Sequence, residues 1–268
     1  MNLYIKAIKK LVDIKVHFEI SSSDVVICEF PKSGVTYFSF LLANYLLAKD
    51  GCDQKVNFFN INMFVQDLHR ESRIDQSFEY NSFRGRLLKT HALYKFIRYP
   101  QKIVLIRNPV KTMLSYYRHI QNYQHITFTS FDDFIRSKKH GISAWIDFYS
   151  FHLKDTNPLG QALFSFEDNI SNPFATLKHF CLLTGISFCE DAATRACANT
   201  KLEKMAYTEE LTSRFGYKKV KSRFVGSSCS NLSIQLDAAS AYIFGEIHKS
   251  CIPNLLSKEL LNRIDLNI

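Results

Sequence analysis

The sequence has no apolar stretch of the roughly 20 residues that a membrane-spanning helix requires. Lysines interrupt the apolar residues of positions 1–20, which is typical of a short amphipathic basic helix and not of a signal peptide. The apolar run after position 36 is also too short to span a membrane. We therefore expect a chain without a transmembrane segment or a targeting signal.

The cysteines do not form a metal-binding pattern. There are seven, an odd number, and they lack the spacing of zinc ligands. Scattered thiols are typical of a reducing compartment, so we predict a cytoplasmic protein. No Gly/Ser/Pro-rich linker, internal repeat or low-complexity tract divides the 268 residues, which predicts one domain over residues 1–268.

The net charge of +9, from 34 basic and 25 acidic residues, permits several kinds of partner. Nucleic acid and anionic membrane surfaces both attract basic proteins. The lysine clusters at 218–221 and 138–140 are, however, typical of solvated faces. A site for a small ligand with several negative charges would also need positive potential. The charge therefore does not identify the partner.

Apolar segments of two kinds alternate along the chain. Strands are predicted at 24–30, 86–91, 102–107 and 162–166, and helices at 36–48, 110–121, 172–184 and 235–248. This alternation predicts an α/β fold in which helices cover both faces of a parallel sheet.

The segment from Pro31 to Tyr37 lies between a predicted strand and a predicted helix. A Ser/Gly turn at a helix N-terminus presents backbone N–H groups, the positive end of the helix dipole and here one lysine, Lys32, which together suit a phosphate group. The usual magnesium-nucleotide loop places its lysine after the last glycine, whereas Lys32 precedes Gly34. The later strand ends in Arg107 and not in an acidic metal ligand. A magnesium-dependent kinase or ATPase therefore fits poorly.

Together with three further segments, this loop resembles the sulfotransferases that use 3'-phosphoadenosine 5'-phosphosulfate (PAPS). The family's Pro-Lys-Ser-Gly-Thr-Thr-Trp loop is similar to Pro31–Tyr37, with Val35 and Tyr37 as substitutions. Its Lys-Thr-His element is matched by Lys89, Thr90 and His91. Its strand ending in Arg-Asn, followed by a helix with Ser-Tyr-Tyr, is matched by Arg107-Asn108 and then Ser115, Tyr116 and Tyr117. Its Tyr-Glu-Asp segment resembles Phe166-Glu167-Asp168, and Thr200-Lys201-Leu202 is similar to its Thr-Ser-Phe.

These segments occur in the family's order and extend from residue 24 to about 226. The resemblance implies a P-loop-like phosphate-binding fold and transfer of a sulfuryl group from PAPS to a hydroxyl or amine, without a metal ion.

The resemblance also implies roles for individual residues. Lys32 would stabilise charge on the leaving 5'-phosphate oxygen, and Lys89 would bind sulfuryl oxygens. His91 is the natural general base, because imidazole titrates near neutral pH. The remaining donor-binding residues fall into three groups. The backbone N–H groups of Ser33, Gly34 and Val35 and the Thr36 hydroxyl would hold the 5'-phosphate, Arg107 and Ser115 the 3'-phosphate, and Tyr37, Phe166, Thr200 and Leu202 the adenine.

Two departures from the family pattern concern the donor. The C-terminal Arg-Lys-Gly loop and the Gly-x-Trp-Lys after it align only with residues 221–229, where the Trp and Lys are absent. Lys221 or Arg223 would replace the family's arginine on the 3'-phosphate. Phe166 lacks the hydroxyl of the family's tyrosine. We expect weaker donor affinity or a rebuilt adenine pocket.

The acceptor site is covered in this family by variable segments, which here are about 52–85 and 119–155. These segments contain many aromatic residues together with His69, Arg70 and Arg73. The aromatics are Phe58, Phe59, Phe64, Phe78, Tyr80, Phe83, Tyr123, Phe128, Phe131, Phe148 and Tyr149. Such side chains are compatible with the wall of a phenol pocket, with stacking on a sugar ring and with the hydrophobic core. The similarity to the cytosolic branch favours a small-molecule hydroxyl over a glycan or an amine.

Two other classes of function stay open at this point. A kinase on a related phosphate-loop fold would need ATP and magnesium. A non-catalytic basic module that binds nucleic acid or an anionic surface would explain the charge, but it would not explain Lys89-Thr90-His91 beside two phosphate elements. We therefore expect no nucleic-acid partner, and the sequence carries no signal for an oligomeric state.

Overall fold

The computed structural model describes residues 18–68, 78–95, 97–123, 126–154, 162–214 and 236–266. Within these ranges there are five strands: β1 Val25–Glu29, β2 Val65–Asp67, β3 Leu87–Thr90, β4 Gln101–Ile106 and β5 Leu163–Ser165. All pair in parallel, in the order β2-β3-β1-β4-β5. The predicted parallel sheet is confirmed, with β2 as an additional strand that the sequence analysis did not predict.

Twelve helices connect or follow the strands in the described part of the chain. They are α1 Val35–Lys49, α2 Ile61–Phe64, α3 Pro109–Tyr123, α4 Phe131–Arg136, α5 Ile142–Lys154, α6 Phe166–Ser171, α7 Pro173–Thr184, α8 Glu190–Asn199, α9 Leu202–Arg214, α10 Leu236–His248, α11 Ile252–Leu255 and α12 Lys258–Arg263. None of these helices is long and apolar enough to cross a membrane.

The two faces of the sheet are each buried by a different set of helices. Successive residues of a strand point to opposite faces. Along β1, Val26 and Cys28 pack with α3, α5 and α10, whereas Val25 and Ile27 pack with α1, α7 and α8. This alternation explains why β1 is buried at every position and why its sequence is almost continuously apolar.

The strand order brings four loops to one edge of the sheet. The chain continues from β1 to β2 and β3 on one side, and then crosses to β4 and β5 on the other side. In open α/β sheets, ligands bind outside the carboxyl ends of the strands, where the strand order reverses. The residues that follow β1, β3, β4 and β5 therefore meet at one place.

Candidate active site

The loop between β1 and α1 has an unusual backbone at two positions. Lys32 has φ 75° and Gly34 has φ 110°, both in the left-handed region. A Cβ atom on Gly34 would lie 2.2 Å from the Phe166 ring. A side chain at position 34 would therefore be strained in its backbone and would collide with Phe166. Glycine lets α6 approach the loop closely.

The Ser33 side chain points into the protein. Tyr149 donates its hydroxyl hydrogen to the Leu105 carbonyl, at 2.6 Å. Tyr149 must then accept from the Ser33 hydroxyl, which lies 3.0 Å away. The Ser33 N–H donates to the Phe30 carbonyl at 3.1 Å. Ser33 thus anchors the loop to β4 through Tyr149.

Glu29 is the residue at this site that the sequence analysis missed. Glu29 lies two residues after Ile27, so the two side chains share the face of the sheet that packs on α1. There the Glu29 carboxyl accepts the Val35 N–H at 2.7 Å. Its side chain is only 3% exposed. Burial raises the pKa of Glu29 to about 8, although the Val35 N–H opposes this rise. The signal in the sequence was a single acid within the apolar run 25–30.

Two of the three N–H groups predicted to hold the 5'-phosphate therefore donate within the protein. These are the N–H of Ser33, to Phe30, and the N–H of Val35, to Glu29. The sequence analysis assigned both groups to the phosphate, and that role stays a prediction. For Val35 the cause of the internal bond is the Glu29 carboxyl, which lies at the N-terminus of α1, where anions are stabilised. The Ser33 N–H closes the turn onto the Phe30 carbonyl. Thr36, in the first turn of α1, is partly exposed.

His91 follows β3 and lies beside the end of β1. Its Nδ1 atom is 3.1 Å from the Glu29 carbonyl oxygen and 3.6 Å from the Glu29 carboxylate. A carbonyl oxygen only accepts hydrogen bonds, so Nδ1 carries the hydrogen and the neutral ring has its lone pair on Nε2. The His91 side chain is 32% exposed. The buried Thr90 shapes this turn, because its hydroxyl accepts the Ala92 N–H at 3.0 Å.

Three cations converge on the same position. Lys32 from the loop, Lys89 from β3 and Arg107 from the end of β4 all act electrostatically on the Glu29 carboxyl and lower its pKa against the effect of burial. The first and the last of these three residues are 75 positions apart in the sequence. The parallel pairing of β3, β1 and β4 brings them together. The site is consequently positive, and it contains one buried acid.

Arg107 connects the loop to Phe166. Its guanidinium lies 4.3 Å from the centre of the Phe166 ring, which is a cation–π contact, and it donates to the Lys32 carbonyl at 3.2 Å. The next residue, Asn108, has a structural role. Its side chain accepts the Lys111 N–H at the start of α3, where Pro109 occupies the first helical position.

The residues predicted to contact adenine differ in accessibility. Thr200 is fully buried and its hydroxyl donates to the Ala196 carbonyl at 2.8 Å, so this side chain serves the turn after α8. Leu202 is 46% exposed. Tyr37 is partly exposed, and burial of the rest raises its pKa to about 12. Ser115, on α3, is also partly exposed.

Most aromatic residues assigned to the acceptor segments belong to the core. Phe64, Tyr80, Phe83, Phe131, Phe148 and Tyr149 are buried. Phe58, Phe78 and Phe128 pack against the two core clusters, and Phe59 is exposed. His69, Arg70, Arg73, Lys221 and Arg223 lie outside the described residues, as does the side chain of Tyr123. In the described ranges, no group of three or more His, Cys, Asp or Glu side chains could hold a metal ion.

Comparison with known proteins gives one family match. A family model described as the sulfotransferase domain matches residues 22–223. None of the curated proteins matches the chain in sequence.

Several solved structures have a similar fold. Mouse sulfotransferase SULT7A1, complexed with PAP, is 12% identical, with 88% of each chain covered and a TM-score of 0.56. A retinol dehydratase in complex with retinol and PAP is 11% identical, with 89% of this chain and 85% of that chain covered and a TM-score of 0.65. A retinol dehydratase in complex with androsterone and inactive cofactor PAP is 11% identical, with 96% and 83% covered and a TM-score of 0.61. At these identities the likeness shows a shared fold.

Proposed function

The chain belongs to the sulfotransferase family, and we propose that it transfers the sulfuryl group of PAPS to a hydroxyl or amine of an acceptor by in-line displacement without a metal ion. The observation that carries this proposal is the convergence of Lys32, Lys89 and Arg107 beside His91 at the carboxyl edge of the sheet. A donor with two phosphates and a sulfate needs such a concentration of positive charge.

The loop residues would hold the 5'-phosphate and assist the leaving group. Lys32 would stabilise the negative charge that develops on the phosphate oxygen as the sulfur–oxygen bond breaks. Because the N–H groups of Ser33 and Val35 have internal acceptors, the side chains of Lys32 and Thr36 and the Gly34 N–H would carry more of this binding. Lys89 would bind the sulfuryl oxygens and align them for attack.

His91 would act as the general base. Its Nε2 lone pair, fixed by the Nδ1 contact with the Glu29 carbonyl, would take the proton of the acceptor hydroxyl or amine. The acceptor oxygen or nitrogen then forms its bond to sulfur while the sulfur–oxygen bond to phosphate breaks. The exposure of His91 supports this role, since the ring can reach an acceptor.

Arg107 and Ser115 would bind the 3'-phosphate, Arg107 through a charged fork. Phe166, held between Arg107 and Gly34, would line the adenosine site together with Tyr37 and Leu202. Thr200 is fully buried, and both its hydroxyl and its N–H donate to the Ala196 carbonyl, so its contact with adenine stays a prediction. The assignment of Lys221 or Arg223 to the 3'-phosphate stays a prediction.

A small-molecule hydroxyl is the acceptor that we favour over a glycan or an amine. The retinol dehydratases of similar fold were crystallised with retinol and androsterone, which are apolar alcohols. The PAP in all three neighbours supports PAPS as the donor here. A cytoplasmic location stays a prediction.

A transfer assay tests this function. The purified protein would be incubated with PAPS carrying a labelled sulfuryl group and with panels of phenols, sterols, amines and oligosaccharides. We expect labelled product from a phenol or sterol, also in the presence of EDTA. Phosphoryl transfer from ATP with magnesium, and none from PAPS, would contradict the proposal. Selective labelling of oligosaccharides would overturn the acceptor class alone.

A further inference from the structure

Glu29 has a buried, ionisable carboxyl placed against the proposed general base, and the mechanism above gives this carboxyl no role. Such a group destabilises the fold unless its partners compensate. Its main-chain carbonyl and its carboxyl both face the Nδ1 atom of His91, at 3.1 and 3.6 Å. Glu29 therefore provides both a carbonyl that accepts the Nδ1 hydrogen and a carboxyl that can stabilise the positive charge of the protonated ring.

The Glu29 carboxyl is itself held in place. Its other oxygen accepts the Val35 N–H at 2.7 Å, which ties the carboxyl to the first residue of α1. If the carboxyl turned away from His91, it would lose this bond. Water could not replace the bond, because only 3% of the side chain is exposed to solvent. The geometry is that of a histidine oriented by a fixed acid.

We propose that Glu29 is a positioning residue for His91, which fixes the ring with Nε2 unprotonated and stabilises the imidazolium that forms when His91 takes the acceptor proton. This inference rests on the proposed function. The proton moves from the acceptor to Nε2, and Glu29 neither gains nor loses a proton in that step. An ionised carboxyl at this distance favours the charged form of the ring.

The charge state of Glu29 depends on the groups that surround it. Those that face it from the neighbouring elements are Lys32, Lys89, Arg107, His91 and Tyr149. Burial raises the pKa of Glu29 to about 8. The carboxyl is therefore neutral in acid solution and charged in alkaline solution, so its effect on His91 grows with pH.

Glu29→Gln is the informative variant, because glutamine keeps the shape and an oxygen for the Val35 N–H but never ionises. The first measurement follows the His91 ring protons by NMR over pH 5–10 in the full chain saturated with 3',5'-bisphosphoadenosine, with His91→Gln to assign the signal. We expect the wild-type ring signals of His91 to shift in a second step as Glu29, with a pKa of about 8, ionises, and we expect this step to be missing in E29Q. Identical titration curves of His91 in the two proteins would overturn the proposal.

The second measurement compares turnover numbers from pH 6 to 9.5. The ratio of wild type to E29Q should rise at least about tenfold with pH, as Glu29 ionises. A purely structural role predicts a ratio that is constant with pH, and that result would refute the proposal. Glu167→Gln is the matched control, since Glu167 is also shielded from solvent and burial raises its pKa, but its carboxyl accepts the Asn108 N–H. Its ratio should stay constant with pH.

The two measurements separate this inference from the function. A second step in the His91 titration that is missing in E29Q, found without any sulfuryl transfer, would support the pairing and contradict the proposed function. Sulfuryl transfer with a pH-independent ratio of wild type to E29Q, together with identical His91 titration curves, would contradict the pairing and leave the function intact. In an H91Q background, E29Q should cause no further loss of residual turnover.

Discussion

Replacing Glu29 by glutamine should stabilise the folded protein in alkaline solution and leave its stability nearly unchanged in acid. The native carboxyl is buried, and its pKa is about 8, against an ordinary value of 4.5. Above pH 4.5 the unfolded chain loses this proton while the native state retains it. The free energy of unfolding of the wild type therefore falls as pH rises from about 4.5 to 8, and this loss is complete above pH 8.

The size of the effect follows from the difference in pKa. Each unit corresponds to about 1.4 kcal/mol, so the full difference is on the order of 5 kcal/mol. E29Q does not titrate and lacks this loss. We expect the free energies of unfolding of the two proteins to agree within about 1 kcal/mol at pH 4.5, and E29Q to be more stable by several kcal/mol at pH 8.5.

Urea unfolding followed by circular dichroism at several pH values measures this difference. Asp24→Asn is a control of opposite sign. Burial alone would raise the pKa of Asp24, but hydrogen bonds from Arg86 and Ser21 lower it overall. The stability that ionised Asp24 contributes to the folded protein is present above pH 3.8 and is lost as pH falls. D24N should therefore destabilise the protein at pH 8.5. A difference between E29Q and wild type that is constant from pH 4.5 to 8.5 would refute the reasoning.

Three further predictions concern the loop and its chemistry. Gly34→Ala should lower the stability by about 1–3 kcal/mol from backbone strain alone, with a further loss from the collision with Phe166, and should weaken binding of 3',5'-bisphosphoadenosine in calorimetry. Unchanged stability would contradict the observed φ of Gly34. Lys32→Ala should lower both turnover and donor affinity, whereas His91→Ala should lower turnover by about 10²–10⁴-fold and leave donor affinity nearly intact. Near-full turnover in H91A would exclude His91 as the base. Ser33→Ala and Tyr149→Phe should each cost about 1 kcal/mol in urea unfolding, and the double variant less than their sum, because they break one hydrogen-bond chain; strict additivity would show that the two hydroxyls act independently.

The sequence predicted the fold well because its main signals are local. The buried run of β1 and the long apolar helix after it have bounds within one residue of the prediction. The strand β2 was missed because it has three residues and directly follows a short helix, so no period of two can be read from it. Tertiary pairing with β3 creates this strand.

The candidate site was predictable only in part, because a motif gives the residues and not their partners. The sequence placed Lys32, Lys89, His91 and Arg107 in segments that the sheet then brings together. It did not reveal that the Ser33 hydroxyl donates to Tyr149, a residue 116 positions away. The importance of Glu29 depends on the proximity of β1 and β3, which is a property of the fold.

The most direct test of the central claim is a calorimetric comparison of two ligands, 3',5'-bisphosphoadenosine and ATP with magnesium. The sulfotransferase assignment predicts that 3',5'-bisphosphoadenosine binds at least about tenfold more tightly, because Arg107 and Ser115 would hold its 3'-phosphate, and that Arg107→Ala removes most of this preference. At about 100 times its dissociation constant it should add about 2.7 kcal/mol of stability. Equal or tighter binding of ATP with magnesium would contradict the account.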